Sequence, residues 1–258
     1  MTASNGSRTR RRHAHGMRDR ATTRRTRNAR PRHDATHTEY ATTRPRHARE
    51  MRDRRAGIPM PAQTSVVTVT RIIAGFAGSL TLKVPSAGTR PTSDRVREAL
   101  FSALEARDAI AGARVLDLYA GSGALALEAI SRGAASAVLV EKSYAAVQVC
   151  TANAALVKRR VGPGERPSIH IIGKPVTLYL SSALETFDLV FIDPPYAADG
   201  LELDHVLEGL VPRLAPDAVI ALERSSRSVF PAWPAGLALD KVSRYGETAI
   251  YWLAPTGD

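Results

Sequence analysis

From residue 65 onward the apolar positions follow two rhythms in turn: short continuous runs, and longer stretches in which they return every three or four residues. The runs RVLDLYAG (114–121), ASAVLVE (135–141), PSIHIIG (167–173), FDLVFIDPPY (187–196) and DAVIALERS (217–225) predict strands buried on both faces. Between them, SGALALEAISRG (122–133), YAAVQVCTANAALVKRR (144–160) and residues 201–214 predict helices. LDKVSRYGETAIYWLA (239–254) closes the chain as two strands around Tyr245 and Gly246, adding an antiparallel edge. Strands alternating with helices specify an α/β fold: a mostly parallel sheet with helices on both faces.

Two elements come before it. SVVTVTRIIAGFAGSLTLKVP (65–85) reads as a small β-hairpin, with strands over 66–74 and 80–84 around Gly75 and Gly78, stopped by Pro85. In TRPTSDRVREALFSALEA, Pro91 disfavours helix before it, Thr92 or Ser93 can cap the helix that follows, and Val96, Leu100 and Leu104 mark its apolar face. Asp94, Arg97 and Glu98 stand at the spacing of a surface ion-pair ladder, while Arg90, Arg95 and Arg97 gather near the helix start. The expected organisation is a tail over 1–64, a hairpin over 65–87 and a catalytic domain over 88–258.

Charge separates the tail from the rest. Residues 1–60 hold 17 Arg, no Lys and 5 acids, an excess of 12 positive charges, so the remaining 198 residues are near neutral. That segment contains no Leu, Val, Phe, Trp or Cys and reaches its first Ile only at Ile58, too few apolar side chains to offset chain entropy, so disorder is expected. Three readings stand side by side: translation starting further on, near Met60 or Val66; a solvated tail; or an Arg-rich arm for RNA phosphates. The single cysteine, Cys150, lies in a helical pattern, which excludes a disulfide framework and a cysteine metal cluster and fits a reducing cytoplasm. No stretch has the roughly 18 to 20 apolar residues that span a bilayer, so a soluble protein is expected.

The chemistry gathers at strand ends. In DLYAGSGALALEA, Gly121 and Gly123 form the first strand-to-helix turn, where backbone N–H groups face a ligand. Asp117 precedes this turn on its strand, and Glu141, about 20 residues beyond the loop, ends the next strand, where a carboxylate can accept both hydroxyls of a ribose. Ala126 stands where a dinucleotide enzyme usually has its third glycine, which leaves that reading open but weak. FIDPPY is more specific. An exocyclic amine on a nucleobase is a poor nucleophile, because its lone pair is delocalised into the ring. The Asp193 carboxylate and the Pro194 carbonyl can accept both amine protons, Pro194 and Pro195 stiffen the turn that presents them, and Tyr196 offers a stacking face.

These motifs resemble motifs I and IV of class I S-adenosylmethionine-dependent methyltransferases that modify exocyclic amines. With RIIAG and TRPTSDRVREALF in the same order and spacing, residues 69–253 resemble the bacterial small-subunit 16S rRNA guanine-N2 methyltransferase family. The resemblance implies a Rossmann-like, seven-stranded, mostly parallel sheet with an antiparallel C-terminal strand. It implies S-adenosyl-L-methionine bound by Asp117, Tyr119, Ala120, Gly121, Ser122, Gly123, Glu141, Lys142 and Gly173. Asp193, Pro194, Pro195 and Tyr196 match the target-amine motif, and Arg90, Thr92, Arg95 and Tyr196 are the expected RNA contacts. The implied partner is 16S rRNA within a small-subunit assembly intermediate, with guanine 966 as the target; a cytoplasmic monomer with no metal is expected. One departure stands out: where relatives often place an Asp or Asn that reaches the adenine amine, this chain reads IIGKPV, and Gly173 and Lys174 offer no side-chain acceptor.

Two other functions remain in view. A DNA adenine-N6 methyltransferase can share Asp-Pro-Pro-Tyr, but such enzymes generally need a separate domain to read duplex sequence and flip the base. A non-catalytic RNA-binding assembly factor could retain the fold, and cofactor binding would discriminate it. A cytosine-C5 enzyme is excluded, since it needs a cysteine nucleophile and Cys150 has no preceding proline. His170, in a strand core pattern, and His205, on a helix, are not expected to act in catalysis.

Overall fold

Asp117 and Asp193 are brought to one edge of a sheet by the order in which its strands are laid down. The computed structural model describes residues 69–85, 93–164, 167–195, 200–228 and 233–257. The 1–64 tail lies outside the described residues, as do Arg90, Thr92 and Tyr196. A hairpin of β1 (Val69–Arg71) and β2 (Thr81–Lys83) is followed by α1 (Asp94–Glu105), β3 (Arg114–Leu118), α2 (Ala124–Ser131), β4 (Ser136–Val140), α3 (Tyr144–Lys158), β5 (Ser168–Ile172) and α4 (Val176–Ser182). Then come β6 (Phe187–Ile192), α5 (Gly200–Leu210), a 3-10 turn over Val211–Arg213, β7 (Leu214–Ser225), β8 (Leu237–Tyr245) and β9 (Thr248–Pro255).

The seven-stranded sheet has the order β5-β4-β3-β6-β7-β9-β8. Strands β3 to β7 run parallel, β9 is antiparallel to β7, and β8 is antiparallel to β9. The chain builds outward from β3 to β5, then returns to lay β6 on the other side of β3. The crevice at that reversal is where ligands of such sheets bind. Alternate residues feed two core layers: Val115, Leu189, Phe191 and Ala221 pack with α1 and α2, while Leu116, Val190, Ile192 and Leu222 pack with α4 and α5. No helix among the described residues is long and apolar enough to cross a membrane.

The structure departs from the sequence pattern in several places, and the first hairpin strand ends at Arg71 instead of running on to residue 74. Helix α4 was not anticipated: it has only seven residues and opens with Pro175, Val176 and Thr177, too short for a helical period to show. The helix expected over 201–214 stops at Leu210, because Pro212 lacks an N–H and the chain tightens into the 3-10 turn before β7 begins at Leu214. The closing hairpin supplies the expected antiparallel edge, with β9 lying between β7 and β8; its central residues Ala249 to Leu253 are all buried, as an interior strand requires. His170 is exposed on β5, beside the Ser168 hydroxyl at 2.7 Å, rather than in the core.

Arg97 corrects the surface-ladder expectation for α1. Ser93 caps the helix by accepting from the Val96 N–H, but Arg97 is only 1% exposed. Its guanidinium donates to the Thr70 hydroxyl (2.8 Å), the Arg71 carbonyl (2.7 Å) and the Asp94 carboxylate (2.7 Å), pinning β1 to α1. The hairpin tip docks on α2 in a similar way. Glu128, fully buried, accepts from the Ile73 and Ala74 N–H groups at 2.6 and 3.0 Å. Ser131 accepts from Ala77 N–H and donates to the Ala74 carbonyl. Gly75, at φ +79, lies where a Cβ would overlap the Ser131 carbonyl. The RIIAG motif is therefore a docking turn that sends Ile72, Ala77 and Leu82 into the main core.

Candidate active site

Register builds the site. Ile172, Val140, Leu118, Ile192 and Leu222 are paired across five neighbouring parallel strands. The next residue on each strand is Gly173, Glu141, Tyr119, Asp193 and Glu223, so these five form one row along the carboxyl edge of the sheet. Four of them were singled out in the sequence; Glu223 was not, because it reads as the ordinary end of a buried strand.

The glycine loop leaves β3 through a left-handed turn. Tyr119 has φ +64, a conformation uncommon for a residue with a side chain, followed by Gly121 at +54 and Gly123 at +78. The loop is held from both sides. Glu141 accepts from the Gly121 N–H at 3.0 Å and from the Ser143 N–H at 2.7 Å, so one carboxylate sets the loop and the start of α3 together. Its oxygens keep acceptor capacity beyond these two bonds. Asn153 of α3, fully buried, donates to the Ser122 carbonyl (2.9 Å) and the Lys83 carbonyl (2.9 Å) and accepts from the Lys83 N–H (3.0 Å). It ties the loop to β2. Asn153 is a polar residue on the otherwise apolar buried face of α3, beside Ala146, Cys150, Ala154 and Val157, and that was the signal by which sequence reading could have found it.

Asp117 is 2% exposed and accepts from the Ala126 N–H at 3.1 Å, so it anchors the first turn of α2. Burial pushes its carboxyl up to about 7, against the pull of the Ala126 N–H and with a further push from the charge of Glu141. Tyr119 turns its hydroxyl to Glu202 of α5 at 3.2 Å; burial, and then Glu202, push its phenol well above its usual range. Gly123 is required by packing: a Cβ there would come within 2.8 Å of Leu139 Cδ2 and 2.9 Å of Cys150 Sγ, inside the core. A branched side chain at this position would therefore clash with the core beneath the loop. Burial also pushes the Cys150 thiol up, so it stays a neutral packing group.

Ala120 is buried, Ser122 half-buried and Lys142 exposed. Gly173 is exposed, with Val147 as its nearest side chain, 3.7 Å from where a Cβ would sit. On the other side of Tyr119, Asp193 is half-buried, Pro194 buried and Pro195 exposed; the Asp193 N–H faces the Leu118 carbonyl at 3.5 Å. Asp193 and Pro194 line a shallow cleft with Glu223, Arg224 and Ser225 from the end of β7. Arg95 is exposed on the first turn of α1.

A reversing parallel sheet, a glycine loop held by an acid at the next strand's tip, and an Asp-Pro-Pro turn beside it define a class I methyltransferase. Residues 70–254 match the family described as Conserved hypothetical protein 95, and the chain belongs to that family. It is 36% identical over 180 residues to Ribosomal RNA small subunit methyltransferase D of Escherichia coli K12, covering 69% of this chain and 86% of that protein. It is 29% identical over 182 residues to Putative rRNA methyltransferase YlbH of Bacillus subtilis, covering 70% and 96%. Among solved structures, the putative methyltransferase yhhF from Escherichia coli superposes with a TM-score of 0.62 at 34% identity, over 74% of this chain and all (100%) of that one. A hypothetical protein from a Thermus species does so with a TM-score of 0.61 at 33% identity, over 73% and 100%.

Proposed function

We propose that the protein methylates the 2-amino group of a guanine in 16S rRNA, guanine 966, using S-adenosyl-L-methionine, in the cytoplasm, as a monomer acting on a small-subunit assembly intermediate. The row of strand-end residues carries this reading: a cofactor half (Gly173, Glu141 and the loop after Tyr119) lies one strand from a target half led by Asp193. The rRNA substrate is what the names of the Escherichia coli and Bacillus subtilis relatives suggest.

The donor set fits the cofactor. Glu141 keeps acceptor capacity for a ribose diol beyond the Gly121 and Ser143 N–H groups it holds, and Val147 beside Gly173 offers an apolar wall for a purine whose edge meets backbone. When bound, S-adenosylmethionine supplies an electrophilic methyl group on a sulfonium. The chain's part is to make the amine a nucleophile. Asp193 and the Pro194 carbonyl accept its two protons and hold the nitrogen pyramidal, with its lone pair toward the glycine loop. Asp193 would take the excess proton of the methylated amine and pass it to water. Tyr196 stacks on the base, and Arg90, Thr92 and Arg95 hold the RNA near the start of α1. Residues 65–87 serve as a hairpin appended to the catalytic domain over 88–258, and the segment 1–64 is a separate tail.

Mass mapping of rRNA from cells with and without the gene tests the reading, paired with Asp193→Ala in vitro. Loss of one methyl from one guanine is expected, and the variant should lose transfer while keeping cofactor affinity. An unchanged modification map, or a variant with near wild-type turnover, would sink it.

A further inference from the structure

Glu223 is the member of the strand-end row that the proposed chemistry leaves unused. It stands one strand beyond Asp193, because Ile192 and Leu222 are paired on parallel β6 and β7, whose axes are about 4.8 Å apart. Parity puts the two carboxylates on the same side. Phe191 and Ala221, two residues before them, enter the core layer beneath α1, while Ile192 and Leu222 enter the opposite layer. Both residues line the cleft with Pro194, and Glu223 is half-buried there. Each has a partner within the chain, so a base donor arriving in the cleft exchanges for an existing interaction.

Two carboxylates side by side in a half-buried cleft favour a ligand that brings two donors in exchange for their present partners. A guanine supplies those donors. Its pairing edge carries the 2-amino group and, next to it on the ring, an N1–H. With Asp193 on one amine hydrogen, a second carboxylate one strand away is placed for the N1–H. Adenine offers the opposite: its N1 holds a lone pair, which a carboxylate repels. We propose that Glu223 accepts the N1–H of the target guanine and is the residue that makes the site select guanine over bases with a lone pair at N1. This rests on the guanine-N2 reading above. Arg224 also lines the cleft and acts on Tyr119, but a guanidinium has no acceptor for an N1–H, so it is not the selecting group.

The test uses small-subunit particles assembled on rRNA that carries either guanine or 2-aminopurine at the methylated position. 2-Aminopurine keeps the 2-amino group but has a lone pair at N1. The wild-type protein should prefer guanine by roughly a hundredfold or more in kcat/KM, since a site built for a hydrogen bond strongly rejects an analogue lacking it. Glu223→Gln, whose amide can donate to N1, should lose at least about tenfold on guanine and bring the two bases within about tenfold, with cofactor affinity unchanged. Glu223→Asp should lose rate on guanine but keep the preference, and it carries the test if the glutamine variant fails to fold. A folded Glu223→Gln with the wild-type preference, or a Glu223→Asp without any, overturns the assignment. Wild-type protein that leaves the guanine particle unmethylated would instead overturn the guanine-N2 reading, and this inference with it.

Discussion

Asp117 shows how one buried side chain can carry a pH signature for the whole site. Its carboxyl, raised to about 7 chiefly by burial, is about three units above the usual carboxylate value of about 3.9. Between roughly pH 4 and 7 the folded protein therefore holds a proton that the unfolded chain has released, and stability falls as pH rises through that window. Above it the ionised group stays buried at a constant cost. Asp117→Asn keeps an oxygen for the Ala126 N–H and removes the titration. Melting temperatures of the two proteins should agree at about pH 3.5, below the window, and separate progressively up to about pH 8, with the asparagine variant the more stable. Parallel curves across that range would show that Asp117 does not titrate there. Each Asp stands in its own sequence motif, but neither motif records its burial; only the core packed around β3 makes one a buried anchor and leaves the other half-exposed at the cleft.

Among the elements, the hairpin and α3 are coupled to the glycine loop through Asn153. Replacing it by Leu leaves the Ser122 carbonyl and both polar groups of Lys83 without their buried partner, each worth about 1 to 3 kcal/mol when left unsatisfied. Because Ser122 lies in the loop, the expected result is cofactor affinity weakened by roughly tenfold or more, with kcat at saturating cofactor within a few fold. Calorimetric titration alongside single-turnover rates checks it. A lowered melting temperature with unchanged affinity would make Asn153 a structural tie and nothing more. This coupling was invisible to periodicity, which places Asn153 in a helix but does not show what meets it. The same limit explains α4, whose seven residues are less than two full helical periods, and β9, whose interior place depends on which strand the closing hairpin meets first.

For the whole molecule, the charge division yields a prediction about the first 60 residues, which hold the entire positive excess. A protein beginning at Pro61 should fold and methylate its RNA at physiological salt within a few fold of the full chain. If the Arg-rich segment neutralises several phosphates, its removal should flatten the salt dependence of binding by about 0.7 to 0.9 in log–log slope for each phosphate it had neutralised. Slopes for both proteins, with the N-terminal peptide from the native host, decide between these outcomes; a large fall in slope together with a start at Met1 would make the segment part of the enzyme. The sequence by itself determined the alternation of strands and helices, the glycine turn and the Asp-Pro-Pro turn, because these depend on local period, on backbone freedom and on residues a few positions apart. The tertiary structure alone decided that Arg97 faces inward, that RIIAG docks on α2, and that Gly173, Glu141, Tyr119, Asp193 and Glu223 share one edge. Those depend on strand register and on which layers pack together, and register is fixed by partners far away in the chain, which no local pattern records.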